Sequence, residues 1–449
     1  MKRKMYQKGP SAFFARHYLY VMVGLVAVET ALLTFWRREL GLYFGPIALV
    51  ILAFLISFYP LWKNHFHRDE RPSVNVFSPG NKRWIVWGIF VAGIATLIPL
   101  YHHILQTYPI DIDKSDIIPT IQVCVRRFLN GEPVYAEITE FPYAHYPNYF
   151  PFKWLPFVIP EILGIDYRWL PLGVVSLGLA CYQRNLIRRN HPLGLLILLA
   201  VAPYLILLYY HLHMPWNIAY TVELLDLGYY LMLFVFLAEG KVILSGLSIV
   251  VVLLSRLSIV FWLPFYLLGV FIKENKKYAV SLAVIIGGGL LIFFVIPFLS
   301  HDWQAIQKGE EAYMSAAKAS WYLSEADRES GKIVPHVMRD QVGIASYMFL
   351  YAKGEIAGKI RLIQKIHLSV SLGTAILIGV IYLLPVVRIP PRYYFLFTLK
   401  IYLGIFYAFI QVPFFYLFIT PLFLSLFLLQ EMNMDRWNAA ADGGSPLQQ

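Results

Sequence analysis

The chain has 449 residues, 58% of them hydrophobic and 14% charged, with a formal net charge of +11 and a mean hydropathy of +0.59. That balance excludes an ordinary soluble domain and predicts an all-α polytopic membrane protein. The positive charge is that of a chain whose basic residues face anionic lipid, and no nucleic-acid module is discernible.

Residues 1–105 open with a basic stretch, "MKRKMYQK", followed by apolar runs at 18–36, 41–62 and 84–105. About 20 apolar residues cross a bilayer. The first run is of that length and lacks a small-residue cleavage site, so a retained signal anchor is expected rather than a cleaved signal.

Residues 106–166 form the first long segment between spans. It begins "YPIDIDKSD" (108–116), which puts Asp111, Asp113 and Asp116 into six positions of a charge-poor chain. Ile118, Ile121, Val125, Phe128 and Leu129 then recur at helical spacing, with Arg126 and Arg127 alongside and Gly131 as a stop. This predicts a short amphipathic helix at the interface, and "FPFKWLPFVIPEIL" (150–163) predicts a second.

Central spans are expected within 167–298, at 167–182, 193–210, 217–238 and 278–298. The run 242–272 is too long for one span and carries "SRLS" in its middle. It therefore reads as two short helices turning at Arg256. A second long segment, 299–365, has mixed charge and a polar break near Ser330 and Gly331, and is expected to fold against the mouth of the bundle. The final spans fall within 366–437, at 366–387, 393–410 and 413–430, and the tail 438–449 reads as disordered. This gives about twelve spans, within a range of 10–13.

Lys and Arg fall unevenly between the spans. With 299–365 set aside, the segments on the N-terminal side of the membrane carry 20 of them and the opposite ones 7. This predicts a multi-pass protein of the cell membrane, a bacterial inner membrane, with both termini cytoplasmic and the aspartates on the outer, periplasmic face. Cys124 and Cys181 fall on opposite sides, so there is neither a disulfide framework nor a CxxC site.

Several outer-face groups could carry chemistry. A carboxylate can act as general base toward a hydroxyl, and arginines can hold phosphate oxygens by charge-assisted bonds, so Asp111, Asp113 and Asp116 with Arg126 and Arg127 suit transfer of a group from a phosphate to an alcohol. Arg256, at a turn between apolar half-helices, should face a cavity or an anion. His145 and Lys153 ("YAHYPNYFPFKW") and His211 and His213 ("YYHLHMPWN") could line a pocket for a lipid phosphate or a sugar, although interfacial Tyr, Trp and His commonly form an aromatic belt. His-x-His supplies two zinc ligands without a third, so no metal site is assigned. Glu223 and Asp226 share a face of one expected span and could be an ion site or line an outer cavity. Lys400 is placed to snorkel from its span's inner end.

The order of these features resembles the polyprenyl-phosphate-mannose-dependent mannosyltransferase-like proteins of the GT-C glycosyltransferase superfamily. The residues that carry the likeness are the outer-loop aspartate, "LNGEPVY" (129–135), "YP" at 146–147 before an apolar segment, "GLSIVVVLLSRLSIVFWLP" (246–264) and "IQVPFFYLFITPLF" (410–423). Asn148 stands where the family has a second proline, Arg256 where it often has lysine, and the hairpin 18–62 precedes the family's usual first span. The likeness implies a GT-C-like bundle, an inverting transfer from a polyprenyl-phosphate-linked sugar to a lipid or glycan acceptor, Asp116 as base and Arg256 near the donor phosphate. It implies no cofactor, and leaves a divalent ion at Asp111 and Asp113 open. Two other readings stay open. One is a ligase or polymerase of undecaprenyl-linked glycans centred on His336, Arg328 and Arg339. The other is a transporter or flippase using Glu223 and Asp226.

Overall fold

The computed structural model describes residues 17–35, 37–66, 79–141, 143, 145–189, 191–339, 341–385, 387, 389–412 and 414–432. The basic N-terminal stretch and the expected disordered tail lie outside the described residues.

Among these residues every regular element is helical, and two isolated bridges are the only β pairing. The chain rises and falls through α1 (Tyr18–Thr34), α2 (Arg37–Phe66) and α3 (Pro79–Thr107). The first connecting segment holds α4 (Ile117–Leu129), α5 (Pro151–Trp154), a 3-10 turn and α6 (Val158–Leu163). Then follow α7 (Trp169–Ile187), α8 (Leu193–His213), α9 (Pro215–Tyr220), α10 (Glu223–Glu239), α11 (Val242–Leu253), α12 (Trp262–Lys273) and α13 (Lys276–Leu290), which continues as a π-helix over Leu291–Leu299. The second long segment forms α14 (Ala305–Ser320), α15 (Glu325–Glu329), α16 (His336–Arg339) and α17 (Ala345–Tyr351). The chain closes with α18 (Ile356–Leu383), α19 (Pro391–Phe409) and α20 (Ile419–Gln430).

Among the described residues, five helical stretches are long and apolar enough to cross a membrane: Phe44–Trp62, Lys82–Thr107, Leu193–His213, Lys276–Leu299 and Ile356–Leu383. Their outward faces are apolar. Ile47, Ile51, Phe54, Val91, Ile98, Leu205, Ile292, Leu377 and Val380 are all exposed, a surface that water disfavours and lipid accepts. Other expected spans are shorter or more polar. α10, which begins with Glu223 and Asp226, is buried along almost its whole length, from Leu224 to Ala238. A helix enclosed by its neighbours has no need of an apolar face toward lipid, so a hydropathy count and a helix count diverge.

α7 and α10 form the tightest seam. A Cβ on Gly178 would lie 2.7 Å from the carbonyl oxygen of Gly228, and one on Gly228 would lie 2.5 Å from that of Val174. Only glycine lets the two backbones approach so closely.

Three expectations are corrected. α18 begins at Ile356, so the last ten residues assigned to the loop 299–365 are the first turns of a long helix. α7 runs on to Ile187, placing Arg184 inside the helix. Lys400 does not snorkel: it is buried in α19, where its ammonium pairs with Glu29 of α1 and donates to the Pro421 carbonyl at 2.9 Å. The expected hairpin around Arg256 is present as α11, a 3-10 turn at Leu257–Ile259, and α12. The second segment has a small core of its own, in which Trp321, Val334, Met338, Ala345, Ile360 and Ile363 are buried together.

Candidate functional site

The first connecting segment is held at both ends. Arg168, buried at the start of α7, pairs with Asp166 at 2.6 Å and donates to the carbonyls of Tyr108 and Leu105, closing the loop onto the end of α3. Ser115 donates to the Tyr220 carbonyl at 3.0 Å, fixing the start of α4 against α9.

Asp116 stands at the N-cap position of α4, where an aspartate ordinarily accepts a backbone N–H. Here it caps nothing. Among the described residues its carboxylate accepts one hydrogen bond, from the Tyr143 hydroxyl at 3.3 Å. Burial, and then the Asp116 charge, pushes that phenol up to about 12, so it remains a donor at neutral pH. His145 lies beside the same carboxylate, with Nε2 3.3 Å from the Thr120 hydroxyl. Burial holds its imidazole below the ordinary value, against the opposing effect of Asp116.

The other two aspartates sit differently. The Asp111 carboxylate accepts the Asp113 backbone N–H at 3.0 Å, shaping the turn, and Asp113 is exposed. Among the described residues no three His, Cys, Asp or Glu side chains converge as metal ligands would.

Deeper at the same end lies a charged cluster. The Phe152 N–H donates to the Leu254 carbonyl at 2.8 Å, docking α5 on the turn after α11. This brings Lys153 against α10, where its ammonium pairs with Asp226 and lies 3.7 Å from Glu223. Arg256 reaches the same two carboxylates, Glu223 at 2.6 Å and Asp226 at 3.2 Å, and the Ser255 hydroxyl donates to the other Asp226 oxygen. Two cations therefore balance two carboxylates, a closed arrangement except at one point. Nη1 of Arg256 is buried and has no acceptor among the described residues, while 20% of the side chain remains accessible. The Tyr407 ring lies 6.0 Å from this guanidinium.

Tyr149 joins the two parts. Burial, and then the charge of Asp116, holds its phenol well above the ordinary value, with smaller contributions from Tyr416 and Glu223. Its hydroxyl therefore feels both the Asp116 carboxylate and Glu223 of the charged cluster.

The remaining expected residues lie elsewhere. Arg127 donates to the carbonyls of Ala136 and Glu137 at 2.6 and 2.8 Å, pinning its own loop. Arg126 is exposed and donates to the Gln122 carbonyl within α4. His211 is buried, with Nδ1 2.7 Å from the Leu207 carbonyl and its ring 5.7 Å from Tyr101. His213 packs on Tyr209 at 4.5 Å. Two residues apart on a helix, the two histidines face different ways.

Sequence reasoning missed Tyr143, Tyr149, Ser255 and Tyr407. The "SRLS" turn singled out Arg256, and its two serines were the available signal. The tyrosines had none, since 31 tyrosines in the chain make each one unremarkable. No family model, curated protein or solved structure matches this chain. Its residues alone therefore carry the functional argument.

Proposed function

We propose that this chain is an integral-membrane glycosyltransferase that moves a sugar from a polyprenyl-phosphate donor to an acceptor hydroxyl, with inversion, at the outer face of a bacterial inner membrane. One observation carries the reading. Asp116 occupies a capping position without capping, its carboxylate oriented by the Tyr143 phenol. A carboxylate released from structural duty at the mouth of an apolar bundle is suited to take a proton from an incoming hydroxyl.

In this reading the acceptor oxygen attacks the anomeric carbon as Asp116 removes its proton. The bond between that carbon and the phosphate oxygen breaks, and the phosphate leaves with the electron pair. Nη1 of Arg256 faces the charge that develops there, in a low-dielectric setting where such a contact is worth most. Glu223 and Asp226 hold the guanidinium in place. α6 leaves Ile159, Ile162 and Leu163 exposed, an apolar face suited to the lipid surface from which a polyprenyl donor would enter. Glu223 and Asp226 each already neutralise a cation, which weighs against a role as coupling carboxylates in transport. Arg339 is paired with Asp327 inside the second segment, which leaves less for a ligase centred there.

The test uses the protein in lipid nanodiscs with synthetic polyprenyl-phosphate sugars. Wild type should release polyprenyl phosphate, and Asp116→Asn should lose about 10²–10⁴-fold of the rate, the usual contribution of a general base. Undiminished release by the variant would remove Asp116 from the role, and no release by folded wild type from any donor would end the glycosyltransferase reading.

A further inference from the structure

The second connecting segment meets the bundle along a short seam. Gln341 pairs with Phe414 in an antiparallel bridge, and the Ile344 N–H donates to the Ala408 carbonyl at 2.8 Å. Paired residues in such a bridge present their side chains on the same side. The neighbouring Val342 points the other way, to within 3.9 Å of where a Cβ on Gly45 would stand. Gln341 therefore shares a side with Phe414, whose ring stacks on Tyr416 at 5.0 Å and 13°.

Gln341 is 5% exposed, yet among the described residues neither its Nε2 nor its Oε1 has a hydrogen-bond partner. A buried amide with both ends unpaired is destabilising unless something else occupies the place of its partners. The polar groups around Gln411, three residues before Phe414, are neutral as well. Gln364 donates to the Gln411 amide oxygen at 2.9 Å, and the Tyr313 hydroxyl borders the same Gln411 amide. Ala408, which accepts the Ile344 N–H, follows Tyr407, whose ring lies 6.0 Å from the Arg256 guanidinium, so the seam runs up to the candidate site.

We propose that this seam binds a saccharide ring of the acceptor, with Gln341 as its hydrogen-bonding amide and the stacked Phe414 and Tyr416 as its apolar wall. An unpaired donor and acceptor in one neutral side chain match a hydroxyl-bearing ligand, which both gives and accepts hydrogen bonds. A phosphate would require a free cation at the seam, and Arg339, two residues before Gln341, is already paired with Asp327. The assignment rests on the glycosyltransferase reading for its orientation, since it runs the acceptor past Tyr416 and Tyr149 toward Asp116.

The test is saturation-transfer NMR on the nanodisc-embedded full chain, with methyl hexopyranosides and their disaccharides as probes and the tripeptide Gly-Ser-Gly as comparison. Wild type should transfer saturation to at least one saccharide. Gln341→Leu should reduce the transfer about fivefold or more, with an unfolding midpoint equal to or above that of wild type, because it replaces an unpaired buried amide by an apolar group of similar size. Wild-type transfer in the variant, transfer to the tripeptide alone, or transfer to no probe would each overturn the proposal. Polyprenyl phosphate release, measured on the same preparation, separates the two claims. Release without saccharide binding removes the seam and keeps the enzyme, while binding without release does the reverse.

Discussion

At Asp116 a single side chain departs from its local role, and the neighbours explain how it can. Ser115 takes over the anchoring of the α4 start through the Tyr220 carbonyl, and Tyr143 supplies the carboxylate with a donor. His145, beside it, gives the site a pH dependence whose sign follows from burial. Its folded value is depressed, so as pH falls the unfolded chain takes up the proton first, near the ordinary value of about 6.5. The stability contributed by the neutral imidazole is therefore complete above that pH and is lost below it, until the folded imidazole is also protonated. His145→Gln should show a smaller fall in unfolding midpoint between about pH 7.5 and 5.5 than wild type. Equal falls in the two proteins would mean that His145 does not titrate as its surroundings dictate. Asp116, Arg256, Lys153 and His145 were all legible in the sequence as polar groups in apolar company. Their partners were not, because Lys153 meets Asp226 across 73 residues and no local pattern encodes that meeting.

Among the elements, apolar runs marked most of the long helices, and the errors have physical causes. The start of α18 was hidden because Lys359, Arg361 and Lys365 lie in its first turns, and charge there reads as loop. The two half-helices around Arg256 were legible because a cation cannot sit midway along one apolar span without a partner. What sequence could not show is the α7–α10 seam, since a glycine that permits close approach looks the same as one that does not. Gly178 and Gly228 are the former kind, and Gly88 of α3, where a Cβ would meet nothing within 4 Å, is the latter. Gly228→Ala should destabilise the protein by about 1–3 kcal/mol, because the backbone it strikes cannot move aside as a side chain could. Gly88→Ala should be neutral or gain up to about 1 kcal/mol from helix propensity. Detergent-induced unfolding of the two variants checks both. A Gly228→Ala protein as stable as Gly88→Ala would mean that the seam is looser than its geometry states.

For the whole molecule, the question is how the N-terminal hairpin belongs to the bundle. α2 packs along α19, and the decisive contact is polar. Glu29 of α1 pairs with Lys400 of α19 across 371 residues, the Ser425 hydroxyl of α20 donates to the second Glu29 oxygen at 2.7 Å, and Lys400 also donates to the Pro421 carbonyl. Both charges are almost fully buried, so the pair is worth little net stability against an apolar replacement but a great deal against loss of one member. Its value is in register: Glu29 can satisfy both of its oxygens only where α1, α19 and α20 meet in this arrangement. Lys400→Met alone should cost about 3–5 kcal/mol, because it leaves the Glu29 carboxylate buried without a countercharge. The double variant Glu29→Leu with Lys400→Met should recover most of that loss, since neither unpaired charge remains. α19 also carries Tyr407 beside Arg256, so the hairpin reaches the candidate site through one helix. Under the proposed glycosyltransferase activity, the single variant should therefore lose donor turnover in proportion to its loss of folded protein, and the double variant should regain both together. A double variant that folds but stays inactive would instead show that the Glu29–Lys400 register, rather than stability alone, sets the position of Tyr407 against Arg256.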